Sequence, residues 1–306
     1  MAIHAYRSDQ AIEKDYSDFM SKDSKTPKDT HYATLRRAHR DQKRERGELP
    51  AATPARNKAG GDWKAPPQAP DTVWLYGLHT VKAAIANPDR KILKLMVTQN
   101  ALARLEIAEG TELPFPVEMV APHDIDKLVG PDAIHQGVLI EARPLPVRKL
   151  DSLKDKPLLL VLDQVTDPHN VGAILRSAVA FDAGAVVTTE RHSPTESGVM
   201  AKSASGALEL IPYIQITNLA NALEELHQLG FQTIGLDSDG PEPLESTLSG
   251  KKIALVLGAE GKGLRQKTQA TCNNLARMDM PGAIKSLNVS NAAAIALYAT
   301  RSYLAR

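Results

Sequence analysis

The chain has 306 residues, and 37 Lys and Arg against 36 Asp and Glu leave it a net charge of +1. That length suits roughly two domains of about 100–200 residues, and the balanced charge excludes nucleic-acid binding driven by overall basicity, so any such affinity has to come from local patches. A single cysteine, Cys272, excludes an intrachain disulfide and a CxxC metal site; no run of 18 or more apolar residues and no apolar signal core appear, and the expectation is a soluble cytoplasmic protein with no membrane span and no metal.

Residues 1–70 hold 14 Lys/Arg against 10 Asp/Glu, a local excess of +4. They include the basic cluster Arg36, Arg37, Arg40, Lys43, Arg44 and Arg46, followed by a Pro/Ala/Gly stretch. With few large apolar residues, such a segment cannot bury enough surface to offset its ordering entropy. It reads as a disordered extension, either a plain linker or an arm that binds phosphates by counterion release.

From Val73 the composition changes. "VWLYGLHTVKAAIAN" predicts a strand, a Gly turn and an amphipathic helix; "KILKLMVTQN" predicts a strand, "HDIDKLVG" a helix stopped by Gly130, and "HQGVLIEARP" a strand ended by Pro144 and Pro146. Residues 71–148 are therefore expected to form a small α/β domain, with a short linker to a third region at 151–306.

The third region alternates regularly. "PLLLVLD" is a strand, a helix is expected from about Val171 to Asp182, and "GAVVTT" is a strand. A helix near 197–209 leads to the strand "LIPYIQI", then "NLANALEELHQLG" is a helix and "FQTIGLD" a strand. "KIALVLG" and the shorter "LARMDM" are strands, and the last helix runs from about Asn291 to Leu304. Short apolar strands alternating with helices predict an α/β fold with a mostly parallel sheet covered on both faces.

Three polar, Gly-containing loops follow strands directly, where ligands of such sheets bind. The first is 163–172, in which Asn170 is a candidate helix cap and His169 a general base by residue type alone. The second is Gly258-Ala259-Glu260-Gly261-Lys262-Gly263, whose spacing is neither a phosphate-binding GxxxxGK[ST] loop nor a dinucleotide GxGxxG. The third is 281–291, whose Ser286-Leu287-Asn288-Val289-Ser290-Asn291 enters an alanine-rich helix; Asn291 reads as its cap.

Taken together, "NVGAILR" (170–176), "LVLGAEGKGL" (255–264) and "SLNVSNAAAIALY" (286–298) resemble the three motifs of the SpoU-type (TrmH-like) RNA 2′-O-ribose methyltransferases of the SPOUT superfamily. Residues 73–145 resemble the small substrate-binding domain that precedes the catalytic one in many members. The resemblance implies a SPOUT-type catalytic domain with a C-terminal trefoil knot, a homodimer, and methyl transfer from S-adenosylmethionine to a ribose 2′-OH in structured RNA. Its two-domain plan with a basic extension leans toward a guanosine of large-subunit (23S-type) rRNA. A tRNA 2′-O-methyltransferase and a non-catalytic RNA-binding or ribosome-assembly factor are the alternatives, and a nucleotide-dependent oxidoreductase lacks its GxGxxG.

Matched residue by residue, the resemblance implies cofactor contacts at Gly258, Met278 and Leu287, and catalytic positions at Arg176, Asn170, Glu260, Ser286 and Asn288. A guanidinium is a poor proton acceptor, so Arg176 is expected to bind an RNA phosphate and stabilise developing alkoxide, with Glu260 orienting Arg176 or Asn170. One departure stands out. Where many relatives read Ile-Pro-Met, this chain reads Met278-Asp279-Met280-Pro281, which puts the backbone path beside the adenine in question.

Overall fold

The computed structural model describes residues 66, 68–69, 71–107 and 111–306. They fall in one compact unit, Trp63–Arg306. The expected N-terminal extension lies outside the described residues, apart from its last few positions.

The described chain begins with a four-stranded sheet. β1 (Val73–Tyr76), α1 (Leu78–Ala86), β2 (Ile92–Val97), α2 (Gln99–Arg104), β3 (Val117–Met119), α3 (Pro122–Val129) and β4 (Val138–Ala142) give the order β1-β4-β2-β3. β4 runs antiparallel to β1 and β2, while β2 and β3 are parallel. As expected, Gly130 stops α3, at φ 96°. α2 and β3 have no counterpart among the sequence expectations, being short and weakly patterned.

A 3-10 turn (Leu150–Leu153) leads into the second sheet. Its elements are β5 (Leu158–Asp163), α4 (Pro168–Ala180), β6 (Val186–Thr189), α5 (Gly198–Ala204), β7 (Tyr213–Ile216), α6 (Leu219–Gln228) and β8 (Gln232–Leu236). They continue with β9 (Glu242–Pro243), α7 (Leu244–Thr247), β10 (Ile253–Gly258), α8 (Gln266–Thr271), β11 (Asn274–Arg277) and α9 (Val289–Leu304). The strand order is β7-β6-β5-β10-β8-β11-β9, and every pairing is parallel. The mostly parallel α/β sheet expected from the sequence is present.

The central strands β5 and β10 are buried almost throughout because both faces are covered. Their period-2 alternation sends Leu158, Leu160 and Leu162 into one core and Leu159 and Val161 into the other. The first core includes α4, α5 and α9, and it continues without a break into Leu75, Leu78, Val81, Leu95 and Ile140 of the four-stranded part. The second lies under α6, whose Leu219, Ala222, Leu223 and Leu226 are buried.

Polar contacts reinforce that junction. Arg90 is fully buried; its guanidinium reaches Glu196 at 2.5 Å, Glu209 at 2.7 Å and the carbonyl of Arg143 at 2.8 Å. Asn87 donates to Glu209 Oε2 at 2.7 Å, an oxygen that also accepts from Arg90 Nε at 3.1 Å, and Glu196 also accepts from the N–H of Leu145. Burial pushes the Glu196 carboxyl above the usual range, and Arg90 opposes that shift.

Two caps differ from expectation. α4 starts at Pro168 and is capped by Asp167, which accepts from the N–H of His169, so Asn170 lies inside the first turn. Proline at N1 needs no backbone donor and extends the helix backward past Val171. α9 is likewise capped by Asn288, which accepts from the N–H of Ser290, and Asn291 is an exposed residue within it. The helix expected at 197–209 ends at Ala204, where Ser205 and Gly206 turn left-handed and Ala207–Glu209 continue as a 3-10 turn.

Candidate active site

β5, β10, β8 and β11 lie side by side and run the same way, so the chain leaves their carboxyl ends at one edge of the sheet. At that edge is a cleft of about 320 Å³. Leu236, Leu257, Met278, Leu287 and Val289 supply apolar walls, while Asp237, Ser238, Glu260 and Ser286 supply polar ones. Gly258, Met278 and Leu287, the expected cofactor contacts, all line this cleft, as do Glu260 and Ser286.

Gly258 permits a close crossing of backbones. A Cβ there would sit 2.1 Å from the carbonyl carbon and 2.2 Å from the oxygen of Gly263. The 259–263 loop can therefore fold directly over the end of β10, closed by a 2.9 Å hydrogen bond from the N–H of Gly263 to the carbonyl of Ala259. Glu260 projects from this loop toward two others. Its Oε1 accepts from Asn170 Nδ2 at 3.0 Å, Asn288 Nδ2 at 2.8 Å and the N–H of Val289 at 3.3 Å. Asn288 Nδ2 also donates to Asn170 Oδ1 at 3.0 Å. One carboxylate oxygen thus ties the three loops together, and Glu260 engages Asn170 rather than Arg176.

Arg176 stands apart. It is exposed on α4, does not line the cleft, and leaves the helix about 120° round the axis from Asn170. His169 is exposed as well, with Nδ1 3.1 Å from Ser203 Oγ, and is no part of the cleft lining. α4 itself packs tightly on α5, since a Cβ at Gly172 would meet Met200 O and Ser203 Cβ, each at 2.5 Å.

The Met278-Asp279-Met280-Pro281 departure has a local reason. Arg277 Nε pairs with Asp279 at 2.9 Å, and its Nη1 donates to the carbonyls of Gly240 at 3.1 Å and Pro241 at 2.5 Å. Met278 and Met280 then line the cleft from one side. Lys285 steadies the following segment by donating to the carbonyl of Met280 at 2.6 Å. The sequence reading missed Asp237 and Ser238; their only signal was a polar turn after a strand.

The chain matches the SpoU rRNA Methylase family over residues 157–298 and an RNA 2′-O ribose methyltransferase substrate-binding family over 74–147. It is 40% identical to the 23S rRNA (guanosine-2′-O-)-methyltransferase RlmB of Ralstonia nicotianae over 237 residues, covering 73% of this chain and 93% of that one. The protein of the same name from Pseudomonas putida is 36% identical over 235 residues, covering 73% and 94%. Among solved structures, the SpoU methyltransferase AviRb from Streptomyces viridochromogenes, in complex with AdoMet, superposes with a TM-score of 0.65 at 19% identity, covering 76% of this chain and 90% of that one. The AdoMet-bound rRNA methyltransferase from Sinorhizobium meliloti gives 0.64 at 23%, covering 76% and 88%. Motif order, fold and alignment over more than nine-tenths of these relatives' length agree, and the chain belongs to the SpoU rRNA methylase family.

Proposed function

We propose that this protein transfers the methyl group of S-adenosylmethionine to the ribose 2′-OH of a guanosine in large-subunit (23S-type) rRNA. The observation that carries the reading is the cleft at the carboxyl edge of the parallel sheet, where residues of the second and third motifs meet and Glu260 reaches back to the first. The choice of rRNA and guanosine rests on the two aligned relatives.

The residues present suit the cofactor. A cleft of about 320 Å³ falls within the range of small-molecule sites, roughly 300–1,000 Å³. Leu236, Leu257, Met278 and Leu287 would hold the adenine between apolar walls, and the backbone at Gly258 would approach it closely. When bound, S-adenosylmethionine supplies a methyl group already activated on a sulfonium. The protein's task is then alignment and proton management. Arg176 has no partner among the described residues, so its five donors are free for an RNA phosphate and for the oxyanion that develops at the ribose. The phosphate or a water takes the proton. Glu260 acts as an organiser: its Oε1 is committed to three N–H donors, which fixes the loops that shape the site. Ser286, in the cleft wall, faces the reacting ribose with Asn288 beside it.

The same reading divides the chain into an extension at 1–70, an RNA-binding domain at 71–148 and the methyltransferase domain at 151–306. It includes a trefoil knot, supported by β11 lying between β8 and β9 and by the return of α9 to pack in the core beside α4 and β10. It includes a homodimer, supported by the outer face of α9, where Ile295 is 48% and Tyr298 63% exposed. It includes a cytoplasmic location, supported by the proposed rRNA substrate; no described helix is long and apolar enough to cross a membrane. Mapping ribose methylation in total RNA with and without the protein tests the function. One guanosine 2′-O-methyl group should disappear from large-subunit rRNA; an unchanged map refutes the reading.

A further inference from the structure

Asp163 is a buried carboxylate that the reaction does not use. It ends β5 opposite Gly258, the last residue of β10, and its side chain has no solvent exposure. Oδ2 accepts from the backbone N–H of Arg265 at 3.1 Å and from the Thr268 hydroxyl at 2.7 Å. Oδ1 takes no aligned hydrogen bond, yet Arg265 Nε stands 2.7 Å from it. That second contact is an ion pair by distance rather than a directed bond. A carboxylate so deep is costly unless paired, so wherever Asp163 sits, Arg265 and Thr268 have to follow.

The segment held this way is the far end of the cleft loop. Residues 259–263 leave β10 at Gly258 and come back at Leu264, which is buried, and at Arg265, which Asp163 grips. Glu260 stands near the crest of that loop. Asp163 also begins the loop that leads to Asn170 seven residues later. A single residue therefore begins one of the three loops that Glu260 joins and clamps the far end of another.

We infer that Asp163 is a positioning residue for the cofactor cleft: by clamping Arg265 and Thr268 beside the end of β10, it sets where the 259–263 loop and Glu260 stand. The inference rests on the reading of this cleft as the S-adenosylmethionine site. Neither Asp163 nor its partners line the cleft, so it acts through Arg265 and Thr268 rather than by touching ligand.

The test is calorimetric titration with S-adenosylhomocysteine, together with steady-state kinetics, on Asp163→Asn, Arg265→Gln and the double variant. Each is measured well below its own melting temperature, so that all molecules are folded. Kd for S-adenosylhomocysteine and KM for S-adenosylmethionine should rise about tenfold, the scale of one charge-assisted contact. KM for RNA should stay unchanged, kcat should fall less than KM rises, and the double variant should be no worse than the poorer single one. A melting temperature that drops while cofactor Kd stays within twofold of wild type overturns the inference and makes Asp163 purely structural. If Asp163→Asn does not fold, Arg265→Gln decides by the same criterion, because Arg265 is 46% exposed and tolerates replacement better. A wild-type protein that binds no S-adenosylhomocysteine overturns the cofactor reading and this inference together; a wild type that binds it as tightly as both variants overturns only this one.

Discussion

Two polar clusters join distant parts of the chain, and they differ in how much bonding capacity each leaves over. At the junction of the two sheets, the Arg90 side chain has no exposure, and those of Glu209 and Glu196 are 1% and 11% exposed. Five donors meet two carboxylates and a carbonyl, and Asn87 and the N–H of Leu145 take up what remains. At the cleft, Glu260 and Asn288 are exposed and Asn170 is half-buried, and Ser286 and Arg176 have no partner among the described residues. Charges taken out of water have to complete one another, because little else repays their desolvation. Groups that are to receive a substrate have to remain open, and their own network only fixes where they stand. The first cluster is closed on itself, and the second leaves the bonding capacity that the proposed substrate site requires.

The sharpest way to break this contrast is Arg90→Met. Removing the cation leaves two buried carboxylates uncompensated, at a cost of about 3–5 kcal/mol. Urea unfolding should show that loss, while methylation per folded molecule stays near wild type; a loss of activity at full stability would mean that the junction serves the site directly. Next is Gly258→Ala, which drives a Cβ into the Gly263 backbone. The loop has to shift by an ångström or so, and kcat/KM should fall by about 100-fold, with weaker S-adenosylhomocysteine binding. A variant that bound normally would show that the loop does not form the cofactor wall.

Arg176→Lys keeps the charge and loses the fork. The expected cost is about tenfold in kcat, with S-adenosylhomocysteine affinity unchanged in calorimetry. Normal turnover would remove Arg176 from the mechanism. The smallest effect belongs to Asp279→Asn. The Arg277–Asp279 pair is 34% and 63% exposed, and pairs in such surroundings contribute about 0.2–1 kcal/mol. KM for S-adenosylmethionine should change by less than about threefold, because Arg277 keeps its bonds to Gly240 and Pro241. A large change would promote this departure from the family pattern to an essential cofactor contact.

Much of the architecture was legible because it is local. The apolar runs at 158–163 and 253–258, separated by amphipathic helices, are enough to predict strands buried on both faces of a parallel sheet. What failed was the finer local detail. Asp167 and Asn288 took the capping positions expected of Asn170 and Asn291, since several residues in each stretch can cap and only the path of the entering chain selects one. β9 with two residues and α7 with four are too short for any period to register.

The sequence by itself determined the candidate side chains for the proposed site and the order in which they come: Asn170 and Arg176, then Gly258 and Glu260, then Ser286, Leu287 and Asn288. It also determined that each group follows a strand. Only the tertiary structure decided who touches whom. Asn170 and Asn288 meet across 118 residues, Glu260 chooses Asn170 over Arg176, and Arg90 finds Glu209 119 residues away. The reason is physical. A residue's period reports which face it occupies, but the distance between two loops depends on which parallel strands are neighbours, and the order β5-β10-β8-β11 is set by packing of the whole sheet rather than by any local window.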